Sequence, residues 1–240
     1  MAGKALVTWG GWQGHEPEKI ADLFTGILER QGMSVQVCDD LTCFADANAL
    51  QDLDLIVPVW TMSEIDPELV KNVSEAVARG TGIAGCHGGM CDAFRNNVLW
   101  QFMTGGNWVA HPGGDLIDYT VSIVDPAAPL TPGMTDFQVC SEQYYLHVDP
   151  AVNVLATTRF PVQTWYHASN PPADVPVAWT KRWGLGRVYY NALGHKADVI
   201  DHGTPLEMLE RGLQWASQGR AAAVAAGETY KAYVSSGNHY

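Results

Sequence analysis

The 240-residue sequence has little positive charge, with 14 Lys and Arg against 26 Asp and Glu and a formal net charge of −12. Such a charge repels phosphate backbones and anionic lipid. We therefore expect neither nucleic acid nor a membrane surface as a partner. A neutral small molecule is easier to reconcile with this charge.

Three further absences concern location. No stretch approaches the ~18 uninterrupted apolar residues of a membrane-spanning helix. Residues 1–10 (MAGKALVTWG) run straight into an apolar strand, without the long apolar segment or cleavage site of a signal peptide. The cysteines are odd in number and include no C-x-x-C pair. These features favour a reduced, cytoplasmic protein.

The first half of the chain alternates strand and helix patterns, which is typical of a parallel sheet covered on both faces. The predicted strands are 4–9, 33–38, 54–60 and 81–86, and the predicted helices are 17–31, 66–79 and a further one within 90–102. The expected fold class is therefore α/β with a mostly parallel central sheet.

The pattern changes after Gly105, and we interpret residues 105–180 as an antiparallel elaboration on the core. GGNWVAHPGGD is expected to be a loop, and strands are expected at 116–124, 137–147, 153–158, 162–167 and 175–180. A last buried strand at 187–193 and a closing helix at 204–216 follow. We expect residues 217–240 to form a C-terminal helix and a tail that frays from residue 235. We also expect 1–240 to be one domain.

The segment Gly85-Cys86-His87-Gly88-Gly89 lies where a strand passes abruptly into a helix. A sharp turn of this kind, flanked by small residues, lifts one side chain above the sheet, as in a nucleophile elbow. The raised position has glycines two residues before and after it, which is true of His87 and not of Cys86. Cys86 is therefore expected to be a buried structural thiol.

Further polar candidates lie at strand ends or in the adjoining loops, where α/β proteins bind ligands. They are His15 in GGWQGHEP, His111 in GGNWVAHPGG, Glu142 and His147 in SEQYYLHVDP, and His195 in ALGH. A carboxylate beside tyrosines such as Tyr144 is suited to act as a general base or a metal ligand. The catalytic candidates are His87, Glu142 and His195.

Neutral imidazoles with one carboxylate are a suitable ligand set for a divalent metal, zinc above all. The candidate ligands are His15, His111, His147 and His195. No H-E-x-x-H motif is present, so acid–base histidines without a metal remain the alternative. No motif for a nucleotide cofactor is present either, since GGWQG matches neither the Rossmann fingerprint nor a P-loop.

Aromatic residues adjoin several predicted turns. Aromatic faces stack on sugar rings, whereas ordinary core packing is the alternative role. The candidate substrate-binding residues are Trp12, Trp60, Trp108 and Tyr144.

The segments GGWQGHEPEK, GCHGGM, GGNWVAHP, SEQYYLHVDP and PVAWTKRWGLGRVYYNALGH occur in an order that resembles the ThuA, or trehalose-utilisation, family over residues 4–216. The resemblance implies a flavodoxin-like, class I glutamine amidotransferase-like three-layer sandwich in which the amidase cysteine has been replaced. His15, His87, His111, Glu142 and His195 match recurrent polar positions of the family, and His147 belongs to a narrower variety of it.

The family resemblance also implies carbohydrate metabolism. We expect an enzyme acting on a 3-keto-sugar or glycoside by isomerisation, elimination or hydrolysis, and not a cysteine-dependent amidotransferase. The alternatives are a non-catalytic sugar-binding or regulatory domain, and a cysteine-dependent amidase that Cys86→Ala would inactivate. A homo-oligomer is compatible with the fold, although no feature demands one.

Overall fold

The computed structural model describes residues 2–234. Its strands are β1 (Lys4–Gly11), β2 (Ser34–Cys38), β3 (Leu55–Thr61), β4 (Gly82–Cys86), β5 (Gly106–Ala110), β6 (Ile117–Ile123), β7 (Phe137–Ser141), β8 (Tyr145–Val148), β9 (Asn153–Phe160), β10 (Ala173–Trp183) and β11 (Gly186–Asn191). Its α-helices are α1 (Pro17–Arg30), α2 (Ala47–Gln51), α3 (Pro67–Ala78), α4 (Gly88–Cys91), α5 (Val98–Thr104), α6 (Gly203–Ser217) and α7 (Gly219–Ala225).

Nine of these strands form one sheet in the order β2-β1-β3-β4-β11-β10-β9-β6-β7. The first five strands in that order are parallel, and the pairs from β11 to β7 are antiparallel. The expected mixed α/β architecture, with a parallel part and an antiparallel part, is confirmed, and the elaboration extends the core sheet. β5 and β8 form a separate two-stranded sheet.

Helices cover both faces of the sheet because successive side chains of a strand point to opposite faces. On β11, the Tyr189 hydroxyl donates to the Met208 carbonyl of α6. The next residue, Tyr190, packs its ring against Trp179, whose Nε1 donates to Thr104 of α5. The buried sheet therefore lies between a layer containing α6 and a layer containing α5.

The sequence locates the helices well where their boundary residues have a physical role. α1 begins with Pro17 at its first turn, where the missing N–H costs nothing, and carries the acidic Glu18 beside the positive end of the helix dipole. Its buried face includes Ile20, Phe24 and Ile27, which pack against the parallel half of the sheet. This burial makes α1 an integral part of the core.

Three predictions for the elaboration are wrong. GGNWVAHPGGD is not all loop, because residues 106–110 form β5 and pair with β8. The strand expected at 137–147 is two strands, since β7 pairs with β6 while β8 turns away to pair with β5. Residues 162–167 form no strand; a turn leads into a 3₁₀ helix at Tyr166–Ser169.

Two differences concern helices. The helix expected within 90–102 is interrupted, with α4 ending at Cys91 and α5 starting at Val98, where Asn97 caps the new helix through a hydrogen bond from the Trp100 N–H. The short helix α2 was not predicted. The fraying expected from 235 lies outside the described residues. Within residues 2–234, no helix is long and apolar enough to cross a membrane.

Candidate functional site

Four parallel strands end at the same edge of the sheet, and polar side chains follow each of them. His15 lies in the turn after β1, Thr61 ends β3, His87 follows β4, and His195 lies shortly after β11. The segment between β7 and β8 places Glu142 over this edge. The structure thus brings together His15, His87, Glu142 and His195, whose potential ligand atoms all lie within 4.8 Å of one another.

The turn at His87 has the geometry expected of an elbow. His87 has φ 48° and ψ −137°, a conformation that ordinary residues rarely adopt. Its N–H donates to the Asn191 carbonyl at 2.7 Å, which ties the turn to β11. Gly88 allows the segment that carries His15 to approach closely, because a Cβ at this position would lie only 2.7 Å from the His15 ring. The strained turn therefore serves to bring two imidazoles together.

Cys86 is a buried thiol, as its position before the elbow predicts. It is 3% exposed, and burial raises the pKa of its thiol to about 12. A thiol in this state is a poor nucleophile, since the thiolate is the reactive form. The geometry therefore gives no support to cysteine-dependent amidase chemistry.

Glu142 is the centre of the cluster. Its Oε2 lies 3.1 Å from Nε2 of His87, 3.3 Å from Nδ1 of His195 and 3.9 Å from Nε2 of His15. Its other oxygen, Oε1, lies 3.4 Å from Nδ1 of His111. The carboxylate is 5% exposed, so one oxygen is turned toward the three buried rings and the other toward the more exposed His111.

The two ring nitrogens of His87 both face atoms that can only accept a hydrogen bond. Nδ1 lies 2.7 Å from the Ala192 carbonyl, and Nε2 faces the Glu142 carboxylate. A neutral imidazole carries one ring proton and cannot satisfy two acceptors. If that proton remains on Nδ1, the Nε2 lone pair faces a carboxylate oxygen, and a cation between the two atoms would satisfy both.

Burial keeps the imidazoles of His15 and His87 from becoming cations. Burial and the neighbouring His87 lower the pKa of His15 to about 3. Burial likewise lowers the pKa of His87, although Glu142 opposes this. Burial alone would raise the pKa of Glu142, but its close contacts with His195 and His87 outweigh this effect and hold the pKa well below its ordinary value. At neutral pH the rings of His15 and His87 are therefore neutral and lie beside an ionised carboxylate.

The far side of each ring is also held in place. His15 Nδ1 lies 3.0 Å from the Thr61 hydroxyl, and His195 Nε2 lies 3.4 Å from Oδ2 of Asp115. Asp115 itself accepts a hydrogen bond of 2.9 Å from Lys196. Histidines that bind metals usually present one nitrogen to the ion while the other contacts a carbonyl, a carboxylate or another polar group. His15, His87 and His195 all fit this pattern.

The aromatic candidates divide between site and core. The Tyr144 ring stacks on His87 with ring centroids 3.9 Å apart, Trp12 packs edge-on against His15, and Trp108 lies beside His111. Trp60 instead covers Gly10 and donates to Ser63, so the core-packing alternative describes it better.

His147, one of the candidate metal ligands, lies away from the cluster. His147 is exposed on β8 opposite Asn107 and is not part of the His/Glu cluster. The reason is the alternation of strand side chains, which turns His147 away from the core while its neighbour Leu146 points inward.

Sequence reasoning missed three residues that support the cluster. Thr61 and Asp115 contact His15 and His195, and the Tyr119 hydroxyl donates to the Glu142 carbonyl at 2.9 Å. Thr61 carried a signal that could have revealed it, because it ends a parallel strand at the ligand edge. Asp115 and Tyr119 are brought in by β6, whose place in the sheet no local pattern shows.

Backbone strain is concentrated around the cluster. The described non-glycine residues with positive φ are Glu16, Met62, His87 and Leu116. His87 belongs to the cluster, and Glu16 directly follows the cluster residue His15. Met62 and Leu116 directly follow Thr61 and Asp115, which contact the cluster. Strain of about 1–3 kcal/mol per residue persists where the surrounding structure enforces it, and such residues gather at functional sites. The distribution marks this edge of the sheet as the functional one.

Comparison with known proteins identifies the family. The model of the ThuA family, described as trehalose utilisation, matches residues 4–216. The chain therefore belongs to the ThuA family. No match was found among curated proteins.

Solved structures agree on the fold. A ThuA-like protein from Bacteroides uniformis is 17% identical, with a TM-score of 0.72 over 89% of this chain and 91% of that one. A ThuA-like protein from Parabacteroides merdae is 16% identical, with a TM-score of 0.70 over 92% and 91%. A β-galactosidase from Bacillus circulans is 12% identical, with a TM-score of 0.57 over 92% of this chain but 31% of that one. At these identities the likeness concerns the fold alone.

Proposed function

We propose that the protein is an enzyme of carbohydrate metabolism that acts on a 3-keto-sugar or a glycoside by acid–base chemistry assisted by a divalent metal, with zinc favoured. The observation that carries this proposal is the convergence of three buried imidazoles on one ionised carboxylate. Membership of the trehalose-utilisation family supports the substrate class.

The residues present fit a metal ion. His15, His87 and His195 would hold it together with Oε2 of Glu142, a mixed nitrogen and oxygen set that suits zinc and its neighbours. The Nδ1 atom of His195 is buried and makes no hydrogen bond, although it lies close to the carboxylate. A cation bound among these atoms would contact both Nδ1 of His195 and Nε2 of His87.

A bound divalent metal supplies Lewis acidity toward a substrate carbonyl or hydroxyl oxygen. The proton chemistry falls to the other side of Glu142, where Oε1 faces His111. The side chain of His111 is 36% exposed, unlike the three deeply buried rings. We assign Oε1 of Glu142 and His111 to the removal and return of a proton next to the substrate carbonyl.

The scaffold proposed is flavodoxin-like and related to class I glutamine amidotransferases. The parallel strands β2-β1-β3-β4-β11 follow the order 2-1-3-4-5 when numbered among themselves, which is the flavodoxin-like order. In such sheets ligands bind outside the carboxyl ends of the strands. A cytoplasmic location belongs to the same proposal, because all five cysteines are free, including the exposed Cys140.

Metal analysis and turnover together test the proposal. Protein purified without an affinity tag should contain about one equivalent of metal, and less than about a tenth would overturn the metal site. Metal-loaded protein should convert a 3-keto-disaccharide, monitored by NMR, and His111→Ala should slow this at least about a hundredfold. His202→Ala, which changes an exposed histidine outside the cluster, is the matched control. Sugar binding without any turnover would favour the sugar-binding alternative.

A further inference from the structure

A cavity of ≈ 340 Å³ adjoins the cluster on the side of His111. Its volume lies at the lower end of the ~300–1,000 Å³ range of small-molecule sites. Trp108 and His111 line one part of it, and Thr164 and Trp165 line another. His111 therefore belongs both to this cavity and to the surroundings of Glu142.

The chemistry of the cavity fits a neutral, polyhydroxylated ring. Two indoles and small apolar residues form most of its lining, and no Lys, Arg, Asp or Glu is among the lining residues. Aromatic faces bind the C–H faces of sugars, while a phosphate or a carboxylate would find no Lys or Arg among the lining residues. The cavity is therefore suited to an uncharged saccharide.

Trp108 is a preformed wall of this cavity. The Arg95 guanidinium lies over its ring, 4.4 Å from the centroid, and Asp92 holds that guanidinium through two hydrogen bonds of 2.5 and 2.9 Å. Because these contacts fix the indole in advance, little conformational entropy is lost when a ligand packs against it.

Two buried polar atoms beside the cavity make no hydrogen bond, Trp108 Nε1 and His111 Nδ1. The His111 atom lies 3.4 Å from the Glu142 carboxylate oxygen Oε1. An unpaired buried polar group costs about 1–3 kcal/mol, so such groups call for a ligand or a water. Sugar hydroxyls donate and accept hydrogen bonds and could serve both.

We infer that this cavity is the saccharide subsite of the enzyme, with a neutral pyranose ring held by Trp108 and Trp165 and oriented by His111 toward Glu142. This inference rests on the proposed function, since it supplies the substrate-binding part of the same site. Trp165 is the new residue: it is 49% exposed, and the segment carrying it was expected to be a strand. Its exposed indole gains buried area only when the subsite is filled.

The test is a binding measurement on metal-loaded full-length protein. Trehalose, its 3-keto form and glucose 6-phosphate are titrated by calorimetry against wild type, Trp165→Ala and Tyr233→Ala. Tyr233 is also 49% exposed but lies near the C-terminus, outside the cavity, and it is the matched control. We expect at least one neutral sugar to bind and to lose at least about tenfold in affinity in Trp165→Ala only.

Each outcome has a defined meaning. Absence of binding by both neutral sugars, equal affinity of wild type and Trp165→Ala, or tighter binding of glucose 6-phosphate would overturn the subsite. If Trp165→Ala keeps its metal content and melting temperature, misfolding is excluded as the cause of a loss of sugar affinity. Loss of binding in Trp165→Ala, together with absence of turnover in wild type, would support the subsite while contradicting the catalytic proposal.

Discussion

Replacing Glu142 with glutamine should stabilise the metal-free protein. In the wild type the carboxylate faces His87, whose ring burial holds in the neutral form. Nε2 of His87 lies 3.1 Å from the carboxylate, and the only ring proton is also required at the Ala192 carbonyl. The glutamine side chain has the same shape, no charge and an N–H₂ group that can donate to the free nitrogen of His87. The substitution therefore replaces a conflict with a hydrogen bond.

The expected size of this stabilisation follows from Nε2 of His87, which gains a hydrogen-bond donor in the variant. Leaving a buried polar group unsatisfied costs about 1–3 kcal/mol, and for a domain of this length 1 kcal/mol shifts the melting temperature by about 2–4 °C. The melting temperature of the metal-free variant should therefore rise by about 2–12 °C. Saturating zinc at about a thousand times its Kd should stabilise the wild type by about 4 kcal/mol, and this gain should largely disappear in Glu142→Gln.

The assay is calorimetric unfolding at pH 8 with and without a chelator. Glu207→Gln, which removes a surface partner of Arg211, is the control and should change stability by no more than about 0.5 kcal/mol. If His87 and Glu142 instead form a true imidazolium–carboxylate pair, removing the charge should destabilise the protein by about 3–5 kcal/mol. A fall of that size in the metal-free variant would refute the neutral-ring reasoning.

Three further outcomes are expected. Asp115→Asn should weaken metal binding by about 10–100-fold, measured by competition with a chromophoric chelator, because Asp115 orients His195; unchanged affinity would contradict this role. Cys86→Ala should retain turnover. Iodoacetamide should label the exposed Cys140 but not Cys86 in the native protein, because burial raises the pKa of the Cys86 thiol to about 12. Labelling of Cys86 but not of Cys140 would support the amidase alternative. The hydrogen bond from Lys181 outweighs burial and lowers the pKa of Asp149. The stability that this pair contributes is therefore present above the ordinary carboxyl pKa of 3.8 and is lost as the pH falls through the pKa of the folded state. Unfolding measurements on Asp149→Asn should show less of this acid dependence than those on the wild type.

The parallel half of the fold could be predicted from sequence because its signals are local. Continuous apolar runs define β1, β3 and β4, and capping residues and periodic burial define α1 and α3. The elbow could be predicted for the same reason, since the glycine spacing around His87 is a property of five consecutive residues. Such signals do not depend on the rest of the chain.

The elaboration resisted prediction because its strand partners are distant in sequence. The run 137–147 contains no Gly or Pro that would mark a break. Its two halves become β7 and β8 because one pairs with β6 and the other with β5. Glu142 lies in the break, so its contact with His15, His87 and His195 was a hypothesis from residue type and strand-end position. Asp115, Tyr119 and Trp165 carried no local signal at all.

This division of the fold has a chemical counterpart. The core strands carry the three buried imidazoles, which all offer the same chemical group. The elaboration supplies the groups that make the site directional: the carboxylate of Glu142, the partly exposed His111 and, in our proposal, the indoles of Trp108 and Trp165. Exchange of residues 105–180 between family members should therefore change which sugar is bound, while metal binding should persist only where the incoming segment supplies a carboxylate at position 142. A chimera that kept its original sugar preference would contradict this separation.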